Sequence, residues 1–182
     1  MDVKVAKTAG FCFGVKRAVE EVYKVAETTK GAVYTYGPII HNEEVVSDLE
    51  KKGVKVLETE EALKNLTEGT VIIRSHGVPK YIYELLEERN IAYVDVTCPF
   101  VLKIHRIVER ESKQGRHIII IGDPKHPEVV GIKGWCQGKA TIIKTKEDAK
   151  HFLAESGEKL CIVSQTTFNY NNFQEIVEIL SE

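Results

Sequence analysis

The chain has 182 residues, of which 43% are hydrophobic and 29% charged, with a formal net charge of -2. This suffices for one large or two small globular domains with a real core, and the charge gives no reason to expect nucleic acid or an anionic membrane surface as a partner. No apolar run reaches the ~20 residues of a membrane span, the start Met1-Asp2-Val3-Lys4-Val5 is not a signal peptide, and four cysteines without secretion signals fit reduced thiols in the cytoplasm.

In chain order, Val3-Lys4-Val5 reads as a short strand. Val15, Ala18, Val19, Val22 and Ala26 then recur at helical spacing from Cys12 onward. Strands are expected near 32–36, 54–57, 70–74 and 92–96, with helices near 42–52 and 79–89 between them. Glycines at 31, 53 and 69 punctuate the joins. The second half repeats this grammar, with strands near 117–121, 140–144 and 160–164. Its last helix places Phe173, Ile176, Val177 and Leu180 on one face. Alternation of this kind defines the α/β class, with mainly parallel sheets covered by helices.

The two halves are related. Cys12 and Cys98 each open a helical pattern and lie 86 residues apart. His41 and His126 each follow an apolar run and a glycine, and lie 85 residues apart. Val71-Ile72-Ile73-Arg74-Ser75-His76 is echoed by Cys161-Ile162-Val163-Ser164-Gln165-Thr166. A repeat of this length implies two similar units, expected at 1–97 and 98–182. The period places a third cysteine at about position 184, past the end of the chain, so the expectation is two units of a three-unit protein.

Cys12, His41, His76, Cys98, His126 and Thr166 all follow apolar strands. In parallel α/β sheets, ligands bind beyond the carboxyl ends of the strands, where helix N-termini offer free N–H groups to anions. Cys12 and Cys98 share the repeat position and read as soft-metal ligands; Cys136 and Cys161 read as small buried hydrophobes. His41, His76 and His126 suit a metal or a phosphate, whereas His105, His117 and His151 read as surface or satisfied core residues. Glu128 is either a helix-start carboxylate or a proton donor. Thr166 and Thr167 either bind a ligand or cap the helix near Asn169. Lys125, Lys103 and Arg74 read as solvated or steering charges.

Taken together, Ala6-Lys7-Thr8-Ala9-Gly10-Phe11-Cys12-Phe13-Gly14-Val15-Lys16-Arg17-Ala18, Gly37-Pro38-Ile39-Ile40-His41-Asn42, Arg74-Ser75-His76-Gly77-Val78, Asp95-Val96-Thr97-Cys98-Pro99, His126-Pro127-Glu128-Val129 and Ser164-Gln165-Thr166-Thr167 resemble the 4-hydroxy-3-methylbut-2-enyl diphosphate reductase family. The resemblance covers the whole chain in order. It implies two of three similar three-layer α/β domains from a pseudo-threefold ring, the third domain being absent, around a four-iron four-sulfur (4Fe-4S) cluster.

Carried onto matching positions, the resemblance makes Cys12 and Cys98 cluster ligands, with the third cysteine ligand not in this chain. It places His41, His76 and His126 on the diphosphate, Glu128 as proton donor, and Thr166 at the substrate hydroxyl, in a proton relay. It implies an allylic diphosphate substrate, reductive dehydroxylation to isopentenyl and dimethylallyl diphosphate, and an electron donor such as ferredoxin or flavodoxin. Lys125 stands where the family usually has glycine. The chain alone is expected to be inactive or weakly active. The alternatives from other classes are a stand-alone phosphate-ligand-binding module without chemistry, and a zinc hydrolase using Cys12, Cys98 and two histidines.

Overall fold

The computed structural model describes residues 2–181. It divides into two compact units, one formed by residues 1–75 and 91–98, the other by 76–90 and 99–182. The final crossing falls between Cys98 and Pro99, and residues 76–90 pack with the second unit although they lie within the first repeat.

The first unit is built on a four-stranded parallel sheet in the order β2-β1-β3-β4. Its strands are β1 (Val33–Tyr36), β2 (Val54–Leu57), β3 (Thr70–Ile73) and β4 (Ala92–Asp95). One face is covered by α1 (Phe13–Thr28) and α2 (Glu43–Lys51), whose Ala18, Val22, Val25 and Leu49 bury against Val33, Val54 and Ile72. Successive strand side chains alternate faces, so Val71 and Ile73 are buried on the opposite one. Local chemistry starts these helices where the apolar pattern predicts. Asn42 Oδ1 accepts from Val45 N at 3.0 Å, with Glu43 and Glu44 in the first turn. Thr59 caps the short α3 (Glu60–Lys64) in the same way.

The second unit contains α4 (Lys80–Glu88), α5 (Pro99–Lys113), β5 (His117–Ile121), α6 (Pro127–Lys133), β6 (Ala140–Ile143), α7 (Lys146–His151), β7 (Leu160–Ser164) and α8 (Tyr170–Ser181). Its sheet is parallel, in the order β6-β5-β7. The central strand reads His-Ile-Ile-Ile-Ile because both of its faces are covered. Ile118 and Ile120 pack on Val108, Val129 and Ile132, while Ile119 and Ile121 pack on Ala149 and Ile176. The result is a three-layer sandwich. Its strand order repeats the β2-β1-β3 order of the first unit, as the sequence repeat requires.

Residues 76–90 are held in this unit by specific contacts. Trp135 Nε1 donates to the Val78 carbonyl at 2.9 Å, Tyr83 meets the Trp135 ring edge-on, and Lys80 pairs with Glu109 at 2.8 Å.

The expected strand Val3-Lys4-Val5 is not formed, and Val3 and Val5 are more than three-quarters exposed. A three-residue extended segment has no stability without a partner strand, and none of the paired strands takes it as a neighbour.

Candidate active site

In the first unit, the candidate residues Cys12, His41 and Cys98 collect around the carboxyl end of the parallel sheet. Cys12 is the N-cap of α1, exposed, with extended backbone and no side-chain capping bond. Cys98 precedes α5, and its backbone N donates to the Ser75 carbonyl at 2.9 Å, just past the end of β3. Its thiol packs into the first turn of α1, where a Cβ added to Gly14 would lie 2.7 Å from Cys98 Sγ. Only a residue without a side chain lets the sulfur approach the helix backbone so closely. The two sulfur-bearing residues of the repeat thus meet the start of one helix, both as free thiols.

The loop before Cys98 is braced on several sides. Arg17 Nη2, one turn along α1, donates to the Thr97 carbonyl at 3.3 Å. Thr97 N donates to Asp95 Oδ1 at 2.9 Å. His41 lies in the loop from β1 to α2, immediately before the cap Asn42. That loop is tied to the end of β3 by Ser75 Oγ, which donates to the Ile39 carbonyl at 3.1 Å.

In the second unit, β5 and β7 end side by side. His126 is the N-cap of α6, and its Nδ1 accepts from Glu128 N at 3.2 Å. An acceptor at Nδ1 places the ring's proton on Nε2. The His126 and His76 rings meet edge to face, with centroids 5.4 Å apart.

Glu128 is 1% exposed. Both of its carboxylate oxygens accept from one residue: Thr166 N donates to Oε1 at 2.6 Å and Thr166 Oγ1 to Oε2 at 2.8 Å. Thr166 itself is exposed, so its hydroxyl stands between a buried carboxylate and the surface. The α8 cap is made by Asn169 Oδ1, which accepts from Asn172 N, so Thr166 does not serve as that cap. Gln165 steadies the same turn: its Oε1 accepts from Asp123 N and its Nε2 donates to Thr167 Oγ1. The Lys144 ammonium bonded to Asp123 lowers that carboxyl's pKa below its ordinary value.

The remaining expected background residues fall outside this set. Cys136 and Cys161 pack against the apolar core around β5, and burial pushes the Cys136 thiol up to about 11 and raises that of Cys161. His105 is buried and stacked on Trp135, His117 bonds Thr141 Oγ1, and His151 bonds the Glu147 carbonyl. Arg74 departs from expectation. It is not a solvated charge but a half-buried guanidinium folded over Tyr36, and burial lowers its pKa. Gly14, Arg17 and Gln165 gave no functional reading from sequence. A glycine inside a helix start is the one signal that points to Gly14, since glycine there costs stability unless close approach requires it.

The first unit thus has free thiols at a helix start, and the second has imidazoles and a buried carboxylate clasped by a threonine, each at the sheet edge where α/β folds bind ligands. The chain belongs to the LytB protein family, whose sequence profile matches residues 3–182.

The chain is 49% identical over 181 residues to the 4-hydroxy-3-methylbut-2-enyl diphosphate reductase of Caldanaerobacter subterraneus subsp. tengcongensis, covering 99% of this chain and 62% of that protein. It is 44% identical to the reductase of the same name from Clostridioides difficile, covering 100% of this chain and 64% of that one. The structure of the E-1-hydroxy-2-methyl-but-2-enyl-4-diphosphate reductase from Plasmodium falciparum superposes with a TM-score of 0.89 at 30% identity, covering 96% of this chain and 54% of that one. The chain therefore spans less than two thirds of the length of these relatives. Among the described residues, no helix is long and apolar enough to cross a membrane.

Proposed function

We propose that this chain carries part of the machinery of an iron-sulfur reductase, a cytoplasmic enzyme that removes the hydroxyl of 4-hydroxy-3-methylbut-2-enyl diphosphate to give isopentenyl and dimethylallyl diphosphate. The reaction consumes two electrons and two protons, and the hydroxyl leaves as water. The electrons come from an external donor such as ferredoxin or flavodoxin. The observation that carries the reading is the buried Glu128 carboxylate, bonded through both oxygens to an exposed Thr166.

The donor set fits a cluster held by thiolates. Cys12 and Cys98 meet at the first turn of α1, whose N–H groups favour negative charge. Cys136 and Cys161, with thiol pKa values raised by burial, are poor ligands. Cys12 and Cys98 would hold two corners of a four-iron four-sulfur cluster, and a cysteine outside this chain a third. When bound, such a cluster supplies the electrons and Lewis acidity toward the departing oxygen.

The other residues bind and move protons. His41, His76 and His126 hold the diphosphate as hydrogen-bond donors, His126 through Nε2. An allylic hydroxide is a poor leaving group and needs a proton as the carbon–oxygen bond breaks. Protonated Glu128 can donate to Thr166 Oγ1 while the Thr166 hydroxyl turns outward to the departing oxygen, the rotor reversing the bond now seen. Glu128 is inaccessible to bulk water, so this route passes through Thr166.

The test is a fusion of this chain to the remaining C-terminal part of the Caldanaerobacter relative, loaded anaerobically and assayed with a chemically reduced donor. Turnover that falls by about 100-fold or more in Glu128→Gln, with KM little changed, is the expected result. A fusion that binds the diphosphate without turning it over favours a binding module. Hydrolysis that depends on stoichiometric zinc favours a zinc hydrolase.

A further inference from the structure

Arg74 directly follows β3, at the carboxyl end of the first unit's sheet. Its side chain folds back over β1, with Cζ 5.9 Å from the centre of the Tyr36 ring. It then passes against Gly37, where an added Cβ would be 2.2 Å from Nη1. Gly37 has φ +72°, so this position excludes side chains both by conformation and by contact with the guanidinium. Ser75, the next residue, bonds the Ile39 carbonyl of the same loop. The loop that carries His41 therefore rests on Arg74 and Ser75.

The charge on Arg74 is uncompensated. Among the described residues no carboxylate pairs with it, its Nε is buried without a hydrogen-bond partner, and burial lowers its pKa. Withdrawing a cation from water without a counter-ion is costly, and an apolar side chain of similar length fills the same space more cheaply. A cation–π contact with Tyr36 offsets only part of that cost. The natural complement is an anion arriving beside the His41 loop.

We propose that Arg74 is a positioning residue for the anionic ligand: it props the loop bearing His41 and supplies the positive charge that a diphosphate neutralises on binding. This rests on the diphosphate reading given above, and it adds a residue to which neither the repeat nor the family resemblance assigns a role. It separates two properties that a purely structural arginine would lose together. Replacing it with an apolar residue leaves the ligand-free fold as stable or more so, yet weakens anion binding.

The experiment is calorimetric titration of inorganic pyrophosphate into the 182-residue chain as wild type, Arg74→Met and Arg74→Lys, with ligand-free melting of each. Arg74→Met is expected to bind about tenfold more weakly or worse, to show a smaller dependence on salt, and to melt no lower than wild type. Arg74→Lys, which keeps the charge, stays within about threefold of wild type. Pyrophosphate affinity in Arg74→Met equal to that of wild type overturns the inference alone. A wild-type chain that does not bind pyrophosphate overturns the diphosphate reading and the inference with it. If Arg74→Met melts early, Arg74→Gln decides: retained melting with lost affinity supports the proposal, and loss of both in every variant overturns it.

Discussion

Replacing Thr166 with valine removes one hydrogen bond from Glu128 and leaves the rest of the site in place. The backbone N–H at 2.6 Å remains, while the hydroxyl at 2.8 Å is lost. Glu128 is 1% exposed, so water cannot take over the vacated oxygen. A hydrogen bond to a charged group contributes roughly 1.5–3 kcal/mol, and leaving a buried acceptor unsatisfied places the cost toward the upper end. Thr166 is itself exposed, so the methyl replacing the hydroxyl returns little by burial. The expected loss is therefore about 2 kcal/mol, which at an ordinary urea dependence lowers the unfolding midpoint by about 1 M.

The single tryptophan, Trp135, lies in the second unit against His105, so its fluorescence reports the unfolding of that unit. Thr166→Ser keeps the hydroxyl and gives up only an exposed methyl, so it should unfold within about 0.5 kcal/mol of wild type. A Thr166→Val midpoint indistinguishable from wild type, or a Thr166→Ser midpoint shifted equally, refutes the claim that this hydroxyl is a principal partner of the buried carboxylate.

Gly14→Ala places a methyl 2.7 Å from Cys98 Sγ, so the thiol must leave the first turn of α1. Iodoacetamide should then alkylate Cys98 faster than in wild type, as followed by peptide mass spectrometry, while the rate at the half-buried Cys136 stays unchanged. Asp148 accepts from Thr145 N and Lys144 N, which hold its carboxyl below the ordinary value. A pKa lowered by folding contributes stability that is complete above the unfolded value of about 4 and is lost as pH falls through the folded value. Asp148→Asn should accordingly melt below wild type at about pH 7 and converge with it at about pH 2. A constant difference across that range contradicts the assignment.

Much of the fold was legible because its signals are local. The Ile118–Ile121 run announces a strand, and the alternation of such runs with amphipathic helical patterns announces parallel sheets covered by helices. The shared order of β2-β1-β3 and β6-β5-β7 follows from the repeat. Non-local relations were not legible. Val3-Lys4-Val5 has strand composition but no neighbour, and pairing rather than propensity makes a strand. Residues 76–90 join the second unit through contacts such as Val78 with Trp135, 57 residues away in sequence. At the site, the repeat marked Cys12, Cys98, His41 and His126, but the pairing of Glu128 with Thr166 spans 38 residues and carries no sequence signature. Arg74 looks in sequence like any charge at a strand end; only its path over Tyr36 and against Gly37 reveals that water does not solvate it fully.

The central claim is that Cys12 and Cys98 are the two thiolates this chain contributes to an iron-sulfur cluster. Anaerobic reconstitution with iron, sulfide and excess small thiol, followed by visible absorption and Mössbauer spectra, tests it most directly. The prediction is a sulfide-to-iron chromophore that is lost in Cys12→Ala and in Cys98→Ala and retained in Cys136→Ala and Cys161→Ala. A chromophore that survives the Cys12→Ala/Cys98→Ala double substitution, or that vanishes with Cys136→Ala instead, contradicts it.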